Sequence, residues 1–403
     1  MKKVGIIGGG IVGLSVAHKL ILKHPNLKVI ILEKEASVGA HQSSHNSGVL
    51  HAGLYYKPGS LKAKLSVSGI RQMKEFCARN NIPHETCGKL VIAKNDSEVP
   101  RLKALYNRGQ LNGLNNIEFC KKNRIQEIEP YANGIAALKV PEEGIVDYSK
   151  VCDVLKNKIV NSGGSIIVNY GVHSLSRNST EWVINKKSES SLTVDYLINT
   201  AGLHTDRICK KSGMQTASKI IPFRGEYYKL KKHKEYLVKN LIYPVPDPKY
   251  PFLGVHFTRQ INGGIEAGPN AVLALSREGY SKWKIKLRDL TDSLCYPGLW
   301  RFIKSNYKMC IDEIRRSFSK DLFCKSLQEL IPDVQIHDLT TGGAGVRAQA
   351  MNGNGKLEQD FVLLQDRGIL NVLNAPSPAA TASLSIADYL LELINNALDD
   401  LEH

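Results

Sequence analysis

The feature that most constrains the fold is a glycine-rich turn near the start of the chain. Residues 3–7 (KVGII) are apolar and mostly β-branched, as expected of a strand that is buried on both faces. The turn that follows has the spacing G-x-G-x-x-G, with its glycines at Gly8, Gly10 and Gly13. Residues 14–23 then place apolar side chains at helical spacing. This order of strand, turn and helix predicts a Rossmann-type unit.

A second apolar strand is predicted over residues 28–32, and Glu33 ends it, 20 residues after Gly13. In such a unit Gly8 permits the tight turn, Gly10 lets a pyrophosphate approach the backbone, and Gly13 allows helix and strand to pack closely. The amides at the helix start face the phosphates. Glu33 offers acceptors to ribose hydroxyls and disfavours a 2′-phosphate. The predicted dinucleotide contacts here are Gly8, Gly10, Ile11, Val12, Gly13, Glu33 and Lys34.

Composition and length place the chain among globular proteins of two domains. The 403 residues include 42% hydrophobic and 23% charged residues, which is enough to bury a large core. A net charge of +16 favours anionic partners, although the excess is also explained by lysines spread along the chain without one long block. No uninterrupted apolar run of about 18 residues occurs, and the first apolar residues already belong to the fold, so neither a spanning helix nor a signal peptide is expected.

The eight cysteines never form a CxxC pair, which disfavours zinc and thiol–disulfide motifs and favours a reducing compartment. We therefore expect no metal and a cytoplasmic protein. No nucleic-acid-binding motif occurs, so a nucleic-acid partner is not expected despite the positive charge. The glycine motif by itself does not separate FAD from NAD, but the absence of a second G-x-G-x-x-G indicates a single dinucleotide.

Residues 39–53 (GAHQSSHNSGVLHAG) resemble the second FAD-contact segment of the D-amino-acid-oxidase-like flavoenzymes. Within that superfamily, the chain resembles most the L-2-hydroxyglutarate oxidase/dehydrogenase family. Five further stretches carry the resemblance almost to the C-terminus: YYKPGSLKA (55–63), PFRGEYY (222–228), GVHFTR (254–259), GGAGVRAQ (342–349) and NAPSPAAT (374–381). The resemblance implies non-covalently bound FAD and oxidation of L-2-hydroxyglutarate to 2-oxoglutarate by hydride transfer to the flavin. The alternative is oxidation of glycerol-3-phosphate or an amino acid.

The cofactor contacts predicted outside the first unit are mostly small residues that let the backbone follow a flavin closely. Serine hydroxyls in the first of these stretches suit ribityl and phosphate oxygens. Residues 376–381 precede an apolar helical pattern, and their amides are expected to face the flavin's pyrimidine end and favour its anionic reduced form. The predicted contacts are Ser43, Ser44, Ser47, Gly48, Val49, Val172, Ala201, Gly202, Gly345, Ser377, Ala379, Ala380 and Thr381.

Two residues are predicted to perform the chemistry. His51 follows the flavin-contact segment and is the candidate base for the substrate hydroxyl, because an imidazole titrates near working pH. The related glycerol-3-phosphate enzymes carry a histidine at the matching place. Arg347 is the candidate clamp for the C1 carboxylate, since its planar fork binds a carboxylate bidentately. The alternatives are a histidine that only packs against FAD and a surface arginine that pairs with an acid.

A dicarboxylate needs a second cationic or multi-donor site. The candidates in the family-like stretches are Arg224, Tyr227, His256 and Lys57, with Arg259 and Tyr228 beside them. Their order of preference stays open. Because odd spacing on a strand points side chains in opposite directions, one of Arg224 and Tyr227 is expected to be structural.

The predicted architecture is α/β: a discontinuous Rossmann-type FAD-binding domain with an α+β mixed-sheet substrate domain, as in glycine and D-amino-acid oxidases. We assign residues 1–80, 145–215 and 336–403 to the FAD-binding domain. The insertions 81–144 and 216–335 build the sheet that covers the flavin.

Residues 281–325 combine apolar and basic side chains at helical spacing, which is typical of a helix lying on an anionic membrane. Such contact would put the enzyme at the inner face of the membrane, where a quinone collects the electrons; oxygen is the alternative acceptor. The same pattern also fits a core-packed helix with a solvated basic face. The apolar positions are Trp300, Ile303, Tyr307, Cys310, Ile311, Ile314 and Phe318.

Overall fold

The glycine-rich turn joins the first strand to the first helix in the manner that the sequence predicts. In the computed structural model, which describes residues 1–187, 191–248 and 250–402, Gly8 has a φ of +109°. A Cβ on Gly8 would lie 2.6 Å from the carbonyl oxygen of Thr200. A Cβ on Gly13 would lie 2.1 Å from the carbonyl oxygen of Gly8. Both positions therefore require glycine, one for its conformation and both for close packing.

The strands of the described residues are numbered here in chain order. They are β1 (Lys3–Ile7), β2 (Lys28–Leu32), β3 (Val49–Leu50), β4 (His84–Glu85), β5 (Lys89–Ala93), β6 (Glu118–Lys121), β7 (Ala136–Val140), β8 (Gly144–Val146), β9 (Ser165–Ile167), β10 (Val172–Arg177), β11 (Trp182–Lys186), β12 (Leu192–Val194), β13 (Tyr196–Asn199), β14 (Ser218–Leu230), β15 (Leu241–Pro244), β16 (His256–Arg259), β17 (Ile265–Gly268), β18 (Val272–Leu273), β19 (Leu339–Asn352), β20 (Val362–Asp366) and β21 (Ile369–Asn374).

The α-helices are numbered in the same way. They are α1 (Ile11–Lys23), α2 (Leu61–Arg79), α3 (Val99–Leu111), α4 (Lys122–Ile128), α5 (Tyr148–Asn161), α6 (Thr205–Lys211), α7 (Leu287–Leu294), α8 (Pro297–Ser305), α9 (Tyr307–Phe318), α10 (Lys320–Gln328), α11 (Ser383–Leu393) and α12 (Asn395–Glu402).

A six-stranded sheet in the order β20-β21-β13-β1-β2-β9 forms the Rossmann-type part. All its pairs are parallel except β20 with β21, so the carboxyl ends of β1, β2 and β13 meet at one edge. Helices α1, α5 and α11 pack on one face, where Ile6, Leu14 and Leu390 belong to the largest buried cluster. The antiparallel sheet β10-β11-β12 covers the other face through Trp182. The edge formed by the carboxyl ends is where such sheets bind ligands.

A nine-stranded mixed sheet forms the second part, in the order β18-β14-β17-β16-β15-β5-β7-β6, with β19 paired to β14. Its buried cluster includes Leu90, Phe257 and Phe323, so α10 packs against this sheet. The small sheet β3-β8-β4 joins the flavin-contact segment to this second part. The α/β fold with two sheet systems agrees with the predicted architecture.

Two details of the predicted layout differ from the structure. The boundary at residue 336 assigned Leu339–Asn352 to the FAD-binding domain, but this strand pairs with β14 along most of its length in the nine-stranded sheet. The helical pattern across 300–318 is also interrupted, because Asn306, with φ −125° and ψ 27°, separates α8 from α9. Neither the pairing of β19 with β14 nor the break at Asn306 was evident from the sequence, because both leave the spacing of apolar residues unchanged.

Candidate active site

Two adjoining cavities lie at the carboxyl edge of the six-stranded sheet, one on each side of the glycine turn. The smaller has a volume of about 270 Å³ and the larger about 700 Å³. They share the lining residues Gly10, Gln42, Ser43, Thr200 and Gly202. Two cavities that meet at a helix N-terminus suit a ligand with two ring systems joined by a pyrophosphate.

The start of α1 forms the junction between the cavities. Gly10 precedes the helix, and Ile11 and Val12 line the larger cavity. The Ile11 amide donates to the Ser43 hydroxyl at 2.9 Å. The predicted FAD-contact segment, residues 39–53, is therefore hydrogen-bonded directly to this turn. Unpaired amides at a helix start attract phosphate oxygens, and no aspartate or glutamate occupies the first turn of α1 to oppose them.

Glu33 lines the smaller cavity at the end of β2 and is buried. Its carboxylate accepts from the Gly9 amide at 2.7 Å and from the Glu35 amide at 2.9 Å. Each carboxylate oxygen has a further lone pair for a ribose hydroxyl. Lys34 also lines this cavity, and its ammonium pairs with Glu278 at 2.6 Å. The donor and acceptor set of this end fits the adenosine half of a dinucleotide.

The structure brings most predicted cofactor contacts to these walls. Three of them do not line either cavity: Gly13 packs against Gly8, the Ser44 hydroxyl donates to the Gly39 carbonyl at 2.7 Å, and Gly48 has a φ of +68°. The predicted contacts that line a cavity are Gly8, Gly10, Ile11, Val12, Glu33, Lys34, Ser43, Ser47, Val49, Val172, Ala201, Gly202, Gly345, Ser377, Ala379, Ala380 and Thr381.

Residues 376–381 line the larger cavity just before α11 begins. Thr381 is buried, and its hydroxyl lies 2.7 Å from the Tyr148 hydroxyl and donates to the Val49 carbonyl at 3.2 Å. These bonds hold the C-terminal segment against the flavin-contact segment, although the two are more than 300 residues apart along the chain. The placement suits the predicted contact between these amides and the flavin.

His51 lies in the larger cavity directly after β3. Leu50 of β3 is paired with Gly144 of β8 in an antiparallel ladder, so the next pair of residues, His51 and Glu143, face each other. The His51 Nδ1 atom is 3.5 Å from the Glu143 Oε2 atom. The His51 amide donates to the Thr381 hydroxyl at 3.3 Å. The Nδ1 atom therefore faces the carboxylate, and the backbone of His51 is hydrogen-bonded to the C-terminal segment.

Arg347 lines the same cavity from β19. A Cβ on the neighbouring Gly225 would lie 3.0 Å from the Arg347 Nη1 atom, so the glycine makes room for the guanidinium. The guanidinium lies 5.6 Å from the centre of the Phe252 ring, and Nη1 donates to the Asn270 carbonyl at 3.3 Å. An aromatic face and one carbonyl hold the planar group at the cavity wall, in a setting that suits bidentate binding of a carboxylate.

His256 and Tyr227 complete the polar part of this wall. Burial lowers the pKa of His256 to about 3, so the imidazole is neutral. Its Nδ1 faces the Gly254 carbonyl at 2.9 Å and therefore carries the proton, which leaves Nε2 as an acceptor. The ring stacks on Tyr243 at 3.8 Å between centres. Burial raises the pKa of Tyr227 to about 12, so its hydroxyl remains a donor.

The other two predicted substrate contacts lie elsewhere. Arg224 is buried and donates from Nε and Nη2 to Glu226 at 3.0 and 2.8 Å, while Nη1 donates to the Ser281 carbonyl at 3.2 Å. It does not line the larger cavity, whereas Tyr227 does, in agreement with their odd spacing. Lys57 is exposed and does not line either cavity.

The larger cavity contains two basic residues that the sequence analysis did not single out. Lys62 lies at the first turn of α2, with its ammonium 4.5 Å from the centre of the Tyr56 ring. Arg108 donates from Nη1 to the Tyr55 carbonyl at 3.0 Å. Lys62 occurs within a family-like stretch, but only the folded chain shows that it faces the cavity. Arg108 had no signal in the sequence, because it lies on a helix of the inserted segment.

Comparison with known proteins decides the family. Residues 3–393 match the family model described as FAD dependent oxidoreductase, DAO. The chain is 49% identical over 391 residues to the L-2-hydroxyglutarate dehydrogenase of Indibacter alkaliphilus, covering 97% of this chain and 98% of that protein. It is 41% identical over 410 residues to the human mitochondrial L-2-hydroxyglutarate dehydrogenase, covering 98% and 89% of the two chains.

The chain belongs to the L-2-hydroxyglutarate dehydrogenase family.

Membership in this family of FAD-dependent oxidoreductases confirms the predicted class of enzyme, the predicted cofactor and the predicted fold. The structure of L-α-glycerophosphate oxidase from Mycoplasma pneumoniae, with FAD bound, superimposes with a TM-score of 0.79 at 22% identity, covering 98% of this chain and 95% of that one. Glycine oxidase from Geobacillus kaustophilus gives a TM-score of 0.73 at 16% identity, over 98% and 95% of the chains. At these identities the two structures support the fold alone.

Among the described residues no helix is both long and apolar enough to cross a bilayer. Segment 281–325 nevertheless exposes large apolar side chains, with Trp283 80%, Trp300 55%, Tyr307 65% and Phe318 71% exposed. Ile303 and Cys310 of the predicted stripe instead pack against a buried cluster. The exposed basic residues of the same segment are Lys284, Lys286, Arg288, Arg301, Lys304, Lys308, Arg315 and Lys325.

Proposed function

We propose that the chain oxidises L-2-hydroxyglutarate to 2-oxoglutarate with FAD as the electron acceptor in the active site. The observation that carries the proposal is a single cavity that joins the start of α1 to His51 and Arg347. The relatives of that name at 41–49% identity support the choice of substrate.

In this reaction the C2 hydroxyl loses its proton and the hydrogen on C2 leaves as a hydride with both electrons of the C2–H bond, so that C2 becomes a ketone carbon. Bound FAD supplies the acceptor for the hydride. His51 takes the hydroxyl proton at Nε2, because Nδ1 faces Glu143. Arg347 binds the C1 carboxylate and thereby orients C2. The alcohol thereby loses one hydride, for which FAD is the acceptor, and one proton, which His51 takes.

The second carboxylate requires another cation, and we assign that role to Lys62. Burial lowers the pKa of Lys62 to about 8, although Asp360 opposes the change. Its contact with the Tyr56 ring leaves the ammonium able to donate to a carboxylate. Arg224 is occupied by Glu226, and Lys57 does not line the cavity, so Lys62 fits this role better than either.

A test of the substrate uses the flavin itself. Purified holoenzyme is mixed under anaerobic conditions with L-2-hydroxyglutarate, D-2-hydroxyglutarate, glycerol-3-phosphate or an amino acid, and the loss of flavin absorbance is recorded. We expect rapid bleaching by L-2-hydroxyglutarate and much slower bleaching by the other compounds. Preferential bleaching by glycerol-3-phosphate or an amino acid would replace the proposed substrate with that one.

The acceptor that reoxidises the enzyme is proposed to be a membrane quinone. Exposed tryptophan, tyrosine and phenylalanine side chains among lysines and arginines of segment 281–325 suit an anionic bilayer surface. This placement implies contact with the membrane face without a spanning helix.

Sedimentation with vesicles tests the membrane contact. Vesicles containing anionic lipid should carry the protein into the pellet at low salt, and neutral vesicles should carry much less. The variant Trp300→Ser/Phe318→Ser should bind less while it retains flavin bleaching. Equal recovery in the supernatant with both vesicle types would remove the membrane role and leave oxygen as the proposed acceptor.

A further inference from the structure

Three ionisable side chains form a row behind the larger cavity. The Lys89 Nζ atom is 2.7 Å from the Glu143 Oε2 atom, and the same oxygen is 3.5 Å from the His51 Nδ1 atom. The side chains of Lys89 and Glu143 are 0% and 1% exposed, whereas that of His51 is 17% exposed and reaches the cavity. A lysine and a glutamate enclosed this completely cost folding free energy, so their position next to His51 calls for an explanation.

The row is assembled by strand pairing. Lys89 begins β5 in the nine-stranded sheet, and Glu143 immediately precedes β8 in the small sheet. The Gly88 amide donates to the Glu143 carbonyl at 2.8 Å, and the Ala52 amide donates to Glu143 Oε1 at 3.2 Å. Backbone bonds on both sides therefore fix the carboxylate between the ammonium and the imidazole.

Aromatic rings enclose the ammonium end. The Lys89 Nζ atom lies 4.4 Å from the centre of the Tyr55 ring and 5.1 Å from that of the Tyr243 ring. Burial lowers the pKa of Lys89, and Glu143 opposes that change. Burial would raise the pKa of Glu143, but Lys89 and His51 outweigh it and lower the pKa to about 2. The carboxylate is therefore ionised at working pH.

We propose that Glu143 and Lys89 act together as positioning residues that set the tautomer and the protonation state of His51. At 3.5 Å from Nδ1, the Glu143 carboxylate favours the tautomer with the proton on Nδ1, which leaves the Nε2 lone pair for the substrate hydroxyl. Lys89 balances the charge of Glu143, so that the imidazole is left available to receive the substrate proton. The inference rests on the proposed function in taking His51 as the base.

Glu143 and Lys89 have opposite electrostatic effects on the imidazole of His51. A carboxylate alone beside an imidazole favours the protonated ring, which cannot accept a proton from the substrate. With Lys89 present, the carboxylate and ammonium are together neutral, and the imidazolium is favoured only after the proton has moved. The geometry thus combines a fixed tautomer with a base that remains available.

The other ionisable groups around the cavity do not have the same effect on His51. His256 is neutral, because burial lowers its pKa to about 3. Burial raises the pKa of Tyr148 and Tyr243 well above neutrality, so they carry no charge. The remaining ionisable residues that line the cavity are His45, Tyr55, Tyr56, Lys62, Arg108, Tyr227, Asp247, Tyr250, Arg347 and Glu358. Among the described residues, Glu143, which lies behind the cavity wall, is the one carboxylate within ion-pair distance of His51.

The test compares two single variants that should act in opposite directions. In Lys89→Met the unbalanced Glu143 favours the imidazolium, so the acid limb of kcat/KM should move to higher pH by about one unit or more. In Glu143→Gln the anion is lost, so the acid limb should move to lower pH. This variant should also lose roughly ten- to a hundredfold in kcat, with little change in KM, because the tautomer is no longer fixed.

A double variant guards against misfolding, since Lys89→Met alone leaves a buried carboxylate without its ammonium. Lys89→Met/Glu143→Gln replaces the pair with two neutral side chains and should return the acid limb towards that of the unaltered enzyme. FAD content and circular dichroism check that each variant is folded. A purely structural pair would lower activity or yield without opposite shifts of the pH profile.

A second readout does not depend on turnover. Histidine labelled with ¹³C at Cε1 is incorporated, the His51 signal is assigned by its loss in His51→Asn, and the signal is followed against pH in the FAD-loaded enzyme without substrate. The midpoint should rise in Lys89→Met and fall in Glu143→Gln. Shifts in the same direction, or none, would overturn the inference. Because no substrate is present, failure of the proposed substrate is distinguished from failure of this inference.

Discussion

The active site has a cofactor end around the glycine turn and a substrate end in the larger cavity. The sequence specifies these two ends in different ways. The cofactor end depends on residues 8–13 and Glu33, which lie within one β-α-β unit. The substrate end combines His51, which follows β3, with Arg347 of β19 and Lys62 of α2, and these residues meet only after distant strands pair. Local steric rules determine the first end, whereas the second depends on the register of two separate sheets.

This difference predicts different consequences of substitution. Changes at the cofactor end should affect folding and FAD content, because the turn and the ligand share the same backbone. Changes at the substrate end should leave FAD in place and alter turnover or substrate affinity.

The largest effect is expected for Gly13→Val. A Cβ at this position would lie 2.1 Å from the Gly8 carbonyl oxygen and 2.7 Å from the Thr200 hydroxyl, so helix and strand would have to separate. We expect little or no yellow folded protein, measured by the ratio of flavin to protein absorbance. Gly353→Val is the control, since nothing lies within 4 Å of its Cβ. Normal FAD content in Gly13→Val would contradict the close packing of α1.

His51→Asn should lower kcat by about 10²- to 10⁴-fold, the usual contribution of a general base, and leave the FAD content unchanged. Stopped-flow bleaching of the flavin under anaerobic conditions measures this step. His337→Asn is the matched control, because the His337 side chain is 73% exposed. If His51→Asn instead lost its FAD at normal turnover per bound flavin, the histidine would belong to the cofactor end.

The cofactor end was also the part that the sequence predicted best. Glu33, the glycines and the serine-rich segment follow from spacing and small side chains, and the structure places most of them at the cavity walls. Arg347 and His51 were identified through family-like stretches, and both line the larger cavity. Their neighbours in space were not evident, because periodicity reports which face is buried but does not report what faces it.

Glu143 and Lys89 illustrate what the sequence could not provide. Nothing in the sequence marks Lys89 as part of a site, and a buried lysine contradicts the usual expectation for that residue type. Its position follows from the pairing of β5 with β7 and β15, and that of Glu143 from the pairing of β8 with β3. The same reason applies to β19, which follows the predicted boundary at residue 336 but pairs with β14 in the nine-stranded sheet. Pairing between distant strands determines each of these positions.

Lys62→Met should raise the KM for L-2-hydroxyglutarate by about 10- to 100-fold at pH 7, as expected when a charged hydrogen bond is lost, with a smaller change in kcat. Burial lowers the pKa of Lys62 to about 8, with Asp360 opposing, so the ammonium is present below that pH and is lost above it. In the unaltered enzyme KM should therefore rise as the pH increases through about 8, and this rise should be absent from Lys62→Met.

Lys64→Met is the matched control for this prediction, because Lys64 lies on the same helix but is exposed. Both variants are assayed from pH 6 to 9.5. This range extends roughly two units below the Lys62 pKa and more than one unit above it. An unchanged KM in Lys62→Met would mean that His256 and Tyr227, which line the same cavity, bind the second carboxylate instead.

The smallest effect is expected for Glu33→Gln. Both carboxylate oxygens accept from backbone amides, at 2.7 Å from Gly9 and 2.9 Å from Glu35, and an amide side chain can accept at only one of them. The lost bond and the lost acceptor for ribose should weaken FAD binding by about tenfold. Titration of apoprotein with FAD, followed by flavin fluorescence, measures the change, with Glu75→Gln as an exposed control. Turnover at saturating FAD should equal that of the unaltered enzyme, because Glu33 lies in the smaller cavity and His51 in the larger. A fall in kcat at full FAD occupancy would instead mean that the two ends of the active site are coupled through α1.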